Sequence, residues 1–328
     1  PLAAENLKYY AMFCLPSLLG IAFNSFLRND NKPKLAMVST ICGTISNIIL
    51  NYIFIFKLGL GIKSAAIATG FGQIITLLIA LPHFILKKGK LSFGKQNLEA
   101  GTIREVLKIG LPSFFAEAAF SVIIFVHNLV LVNTVGEIGI STYAIINYIT
   151  TNIYLVLLGV TLGAQPLISY NYGAKNINRV KKTFKLCLIS SLIYSAAAWL
   201  LLMTSSEVVV KIFNNDPSLL QITSNSIKIY FAGIFIFGAQ ISCQQTFLSL
   251  GKAKISLFLA LLRKIILLIP LIFILPMFVD NGLFAVLLAE PVADVIAALT
   301  TVACFTVFYK KTLSKININE NNKSIAHF

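Results

Sequence analysis

IGISTYAIINYITTNIYLVLLGVTLGAQPLI, residues 138–168, runs without a single Asp, Glu, Lys or Arg. About 20 apolar residues at ~1.5 Å each cross the ~30 Å of hydrocarbon in a bilayer. Lipid offers the backbone no hydrogen-bond partners, so a segment that crosses it must be helical or part of a closed barrel. The run lacks the strict alternation of a barrel strand and reads as a membrane helix. Apolar runs of similar kind recur at 7–27, 35–56, 62–86, 106–133, 183–203, 221–249, 254–278 and 282–308. The expected fold is therefore an all-α integral membrane bundle of about nine spans. Composition agrees: 57% hydrophobic and 12% charged residues, with a mean hydropathy of +0.83, lie outside the range of soluble domains.

The net charge of +15 would suit a nucleic-acid partner, but the placement of the charges excludes one. Arg28, Lys32 and Lys34 follow the first run, and Lys87, Lys88, Lys90, Lys95 and Arg104 follow the third. Lys175, Arg179, Lys181 and Lys182 follow the fifth, Lys252 and Lys254 the seventh, and Lys310 and Lys311 the ninth. Loops between these are poor in positive charge or carry acids: Glu137, then Glu207 and Asp216 with Lys211, then Asp280. Only Lys57 and Lys63 blur the alternation. This positive-inside pattern predicts a multi-pass protein of the cell membrane, with residue 1 outside and the C-terminus in the cytoplasm. The partner implied is the lipid bilayer. Cys14, Cys42, Cys187, Cys243 and Cys304 all fall in apolar runs without paired spacing, so they read as small buried hydrophobes. With three scattered histidines, no metal centre and no cofactor is suggested.

The chain repeats itself. FLRNDNKPKLAMV (26–38) echoes FLSLGKAKISLF (247–258), and NIILNYIFIFKLGLG (47–61) echoes LLIPLIFILPMFVDNG (267–282). Upstream, Tyr9 matches Tyr230. The period of about 220 residues is roughly six membrane helices with their loops. Two packed halves are a common transporter plan. The second copy has six spans and the first only three, so the arithmetic predicts a first lobe that lacks about three N-terminal helices. The expected organisation is the last three helices of one lobe over 1–86, a cytoplasmic linker over 87–105, a six-helix lobe over 106–311 and a disordered tail over 312–328.

GVTLGAQPLISYNYGAKNINRVKK (159–182) joins an apolar run to a basic helix start. Pro166 is expected to bend the helix and free a carbonyl, Gly163 to allow close packing, and Gln165 to hydrogen-bond across the break. The segment resembles the signature of the MATE (multidrug and toxic compound extrusion) transporters, in which a Gly-x-Ala-Gln-Pro turn ends a span ahead of a Tyr-Asn-Tyr-Gly-Ala loop. Here Gly163, Ala164, Gln165 and Pro166 stand in direct succession, without the intervening residue, and Tyr170 to Ala174 match the second stretch. GLPSFFAEAAF (110–120) resembles the family's seventh helix, with its buried Glu, and Glu290–Pro291–x–x–Asp294 resembles its last helix. The resemblance implies two six-helix lobes around a central cleft. It also implies a monomer that exports small organic cations or drugs against inward Na⁺ or H⁺. A flippase for lipid-linked oligosaccharides, which shares the superfamily fold, is the nearest alternative. A polytopic membrane enzyme such as a transferase would need a catalytic His, Asp or Ser cluster, and none is visible, so no enzyme is read.

Ionisable groups inside spans are functional candidates by default. Glu117 lies ~11 residues, or ~16 Å, into its run and can take a proton from one face and release it to the other. The family resemblance places an acid there too. Glu290 and Asp294 share one face of the last helix as further ion-coupling candidates. Arg263, at a similar depth on the preceding helix, is expected to pair with Asp294 and lock the two helices, with Lys264 beside it. Where many family members carry an Asn-x-x-x-Asp pair that helps hold a cation, this chain has Asn47 and Asn51. Neutral Asn51 can offer a carbonyl oxygen to Na⁺ but cannot carry a proton. Tyr143, Asn147 and Tyr154 follow helical spacing, as a cavity-facing stripe would. Gln240 and Gln244 resemble them, and Asn128 and Gln165 complete the expected cavity lining. Aromatic walls with a few polar groups suit bulky cations.

Overall fold

The computed structural model describes residues 8–61, 63–94 and 99–313. Every regular element among them is helical. Contacts divide the chain into two units, Pro1–Leu98 and Glu99–Phe328.

The first unit holds α1 (Cys14–Asn29), α2 (Pro33–Asn51), which continues as a π-helical turn over Tyr52–Lys57, and α3 (Lys63–Ile85). Small residues let these helices meet. A Cβ on Gly43 of α2 would stand 2.6 Å from the Gly72 carbonyl of α3, and one on Gly72 would stand 2.7 Å from the Gly43 carbonyl. Such mutual glycine contact brings membrane helices to backbone distance. Asn24 of α1 is buried and donates to the Ala36 carbonyl at 2.8 Å and to Thr40 Oγ1 at 2.9 Å, tying α1 to α2. Leu27, Ala36, Ala80 and Phe84 close the core beneath.

The second unit opens with three long helices, α4 (Ala100–Thr134), α5 (Glu137–Gly173) and α6 (Ile177–Lys211). Next come α7 (Pro217–Tyr230) and α8 (Phe237–Ser249), the second entered through the Ile234–Ile236 3-10 turn, with a 48° bend at the break over residues 231–233. α9 (Ala253–Leu261) passes through a π-helical segment, Leu262–Leu268, into α10 (Ile269–Ile274). α11 (Gly282–Phe308) ends the unit and runs into a π-helical turn at Tyr309–Leu313. Side-chain caps set several starts. Asn176 Oδ1 accepts from the Arg179 amide, Asp216 Oδ1 from the Ser218 amide, and Asn281 Oδ1 from the Phe284 amide. Hydrogen bonding from Ser218 holds the Asp216 carboxyl below its ordinary value.

Among the described residues, seven helices are long and apolar enough to cross a membrane, or eight if α7 and α8 form one bent span. The sequence led to an expectation of nine. The difference is the first run: residue 7 lies outside the described residues, and a turn at Phe13 separates helical residues 8–12 from α1, whose 16 residues alone are short of the ~20 needed. The helices are also longer than the apolar runs. At ~1.5 Å per residue, 35 residues in α4 extend to ~52 Å, so its ends stand clear of ~30 Å of hydrocarbon. Residues 100–105, expected in the linker, are the first turns of α4, and residues 95–98 lie outside the described residues. Of the expected tail, 312 and 313 belong to the final turn, and 314–328 lie outside the described residues.

Two expectations are corrected. α5 passes through Pro166 without ending and continues through Tyr170, Asn171 and Tyr172 to Gly173, so the expected break and loop are helix. Proline removes one amide from the ladder, and its φ remains helical. Cys187 and Cys243 are buried, but Cys14 and Cys304 are exposed. They are not alone: Phe56, Phe125 and Ile193 are 76%, 66% and 66% exposed. An outward apolar face of this kind is stable against lipid tails and not against water.

Candidate ion-coupling and substrate site

Glu117 sits at the midpoint of α4, halfway between Ala100 and Thr134. It is exposed to a cavity in the second unit rather than buried, which departs from the expected buried acid. Tyr154 of α5 donates its hydroxyl to Glu117 Oε1 at 3.1 Å. One turn along α4, the Phe120 ring stacks on Tyr154 with centroids 6.2 Å apart and planes 18° from parallel. The periodicity of α4 and α5 thus presents a carboxylate, a phenol and two ring faces together.

The opposite wall is built on the π-helical segment. Its wider turn re-aims side chains, and such segments recur at functional sites. Arg263 is buried there, with Nε donating to Asp294 Oδ1 at 2.5 Å and Nη2 to Glu290 Oε1 at 2.7 Å. Glu290 and Asp294, one turn apart on α11, flank Pro291. The guanidinium also lies 4.5 Å over the Phe237 ring. Two carboxylates and a ring hold one buried cation, so Arg263 is locked rather than available. Glu290 Oε2 is buried with no hydrogen-bond partner. Lys264, the next residue, is half-buried and bonds differently: its Nζ donates to the Ala116 carbonyl at 3.0 Å and lies 4.8 Å over Phe120.

The structure brings Glu117, Tyr143, Asn147, Tyr154, Gln240, Gln244 and Glu290 to this one cavity. Gln240 is 1% exposed, with its Oε1 lacking a partner. Asn128 lies instead in an adjoining hollow with Tyr143 and Asn147, and its amide is spent on the Ile124 carbonyl of its own helix. Gln165 does not line the cavity. Asp294 stands behind the wall and touches the cavity only through Arg263. Asn47 and Asn51 belong to the first unit. Asn51 donates to Asn47 Oδ1 at 3.3 Å, Asn47 donates to Thr69 Oγ1 at 3.2 Å, and Asn51 Oδ1 is left buried and unpartnered. Sequence reasoning missed Phe120 and Tyr230, both cavity-lining. Phe120 stands three residues after Glu117, the spacing that would have pointed to it.

Comparison with known proteins fits this geometry. The MatE family model matches residues 112–274, which contain both walls apart from α11. A solved structure of the MATE multidrug transporter DinF-BH is 30% identical and superposes with a TM-score of 0.83, over 94% of this chain and 69% of that one. This chain belongs to the MATE family. The multidrug export protein MepA of Staphylococcus haemolyticus is 26% identical over 284 residues, 85% of this chain. That match covers 62% of the relative, so the chain spans less than two thirds of the length of this curated relative. An outward-facing multidrug resistance MATE transporter, 19% identical, superposes at a TM-score of 0.88, a likeness of fold. MATE proteins are multi-pass membrane transporters and not enzymes, which removes the transferase reading.

Proposed function

We propose that this chain contributes the binding lobe of a secondary exporter of amphipathic organic cations, driven by inward H⁺ or Na⁺. The observation that supports this is Glu117: a mid-helix carboxylate, open to a cavity, beside stacked Phe120 and Tyr154. A carboxylate and ring faces are what a bulky cation needs, and the same carboxylate can exchange a proton for it. The flippase alternative requires free cations for lipid phosphates. Arg263 is neutralised by two acids, which leaves Lys264 as a single cavity-lining cation outside a salt bridge among the described residues, where a lipid-linked diphosphate calls for a cluster. The basic loops favour a C-terminus in the cytoplasm of the cell that bears the protein.

The test is efflux of a permanent organic cation dye from cells expressing the protein, with Glu117→Gln, across external pH and Na⁺. Loss of gradient-driven efflux in the variant is expected. Undiminished proton- or Na⁺-driven efflux in the Gln variant would remove Glu117 from coupling.

A further inference from the structure

Arg263 and Lys264 are adjacent cations with opposite attachments. Arg263 is bonded to two carboxylates. Lys264 forms no salt bridge among the described residues, and one hydrogen bond, to the Ala116 carbonyl, is what its ammonium makes there. Its other contact is the face of Phe120, 4.8 Å away. An ammonium has three donors, so the protein leaves part of its hydrogen-bonding capacity to the cavity that Lys264 lines. A lysine stem with four rotatable carbons can swing such a head in and out.

The seat under that ammonium is assembled from the groups a foreign cation would use. Phe120 offers its ring, stacked on Tyr154. Ala116 offers a carbonyl, and Glu117, the next residue, lies within electrostatic range of Lys264. We propose that Lys264 is a tethered competitor: its ammonium fills the cation seat on Phe120 beside Glu117 in the empty cavity, and an organic cation binds by displacing it. This rests on the export reading above and adds a residue that sets which cations succeed. A ligand must offer more ring contact than a primary ammonium does, which favours delocalised aromatic cations over small hydrated ones.

The probe is tetraphenylphosphonium, a permanent cation that cannot be neutralised, with binding measured by calorimetry on the purified chain in detergent. Lys264→Gln removes the competitor and the like charge, and is expected to tighten binding about tenfold. Lys264→Arg keeps a cation there and should stay within about twofold of the parent, and Phe120→Leu added to Lys264→Gln should abolish the gain. Lys264→Met serves as a second neutral variant, with the same expected gain, should the Gln variant not fold. Unchanged or weaker binding in the neutral variants overturns the proposal. If the parent binds the probe in a Glu117-dependent manner while the neutral variants show no gain, Lys264 alone is wrong. If the probe binds neither parent nor variants, the organic-cation reading falls with it.

Discussion

Asp30 and His83 meet at 2.7 Å, although 53 residues separate them in sequence. Asp30 stands in the turn after α1 and His83 in the last turn of α3, and both are buried. The other carboxylate oxygen accepts the amides of Lys90 and Leu91 at 2.8 and 3.2 Å. One carboxylate therefore fastens the segment leaving α3 to the turn between α1 and α2. The hydrogen bond with His83 is the main reason the Asp30 carboxyl is held below its ordinary value of 3.8. A depressed carboxyl contributes stability that is fully present above the unfolded value and is lost as pH falls through the folded one. The clasp should thus be intact from about pH 5 upward and open only under strong acid, below about pH 4. Asp30→Asn should speed hydrogen exchange at the Lys90 and Leu91 amides at neutral pH. Exchange as slow as in the parent would show that the carboxylate is not what holds the segment.

The Arg263 triad yields a sharper stability test. Removing Arg263 leaves two buried carboxylates without their counter-ion, and breaking a buried pair in this way costs about 3–5 kcal/mol. Arg263→Met should lower the unfolding midpoint in detergent by several degrees. Adding Glu290→Gln and Asp294→Asn removes the stranded charge and should recover most of the loss. A single Arg263→Met variant as stable as the parent would mean that the triad does not lock α11 to the π-helical segment.

Much of this architecture was legible because a bilayer permits few alternatives. Long uncharged runs must be helical, and charged loops must choose a side. What escaped the sequence were features set by neighbours. Pro166 looks like a stop signal but costs one amide bond inside a 37-residue helix that resumes its ladder. The bend between α7 and α8 carries no proline, and its Gly233 instead approaches Pro291, where a Cβ would stand 3.2 Å from the Pro291 carbonyl. Glu117 was visible as an acid at mid-span, yet its exposure depends on how α4 faces α5, which no single helix encodes. Phe120 was lost among the other aromatics of apolar runs, where packing is the ordinary explanation, and Tyr230 was read only as the repeat partner of Tyr9 and not as cavity lining. Arg263 was expected to take Asp294, and its second partner Glu290 follows from the rotation of α11 about its own axis.

Close contact between α2 and α3 depends on glycine at both Gly43 and Gly72. A side chain at Gly43 meets backbone that cannot move aside, so Gly43→Val should destabilise by about 1–3 kcal/mol or more through overpacking. Gly110→Ala is the control, because a Cβ there has nothing within 4 Å. It should be neutral or slightly stabilising, as alanine favours helix over glycine by about 1 kcal/mol. Thermal unfolding of both variants in one detergent checks the contrast. Equal effects would show that the glycines do not set the helix spacing.

Tyr154 contributes to the cavity in two separable ways, through a hydroxyl on Glu117 and a ring on Phe120. Tyr154→Phe removes the first and keeps the second. A hydrogen bond to a charged group is worth about 1.5–3 kcal/mol, so probe binding should weaken by roughly tenfold or more. Tyr154→Ala should weaken it further, since the stacked ring is lost as well. The decisive comparison is the double variant with Glu117→Gln. If the hydroxyl works by orienting the carboxylate, Tyr154→Phe should cost far less once that carboxylate is gone, giving a coupling energy of about 1 kcal/mol or more. Strictly additive losses would mean that phenol and carboxylate act independently, and the 3.1 Å contact would then not be what presents Glu117 to a cation.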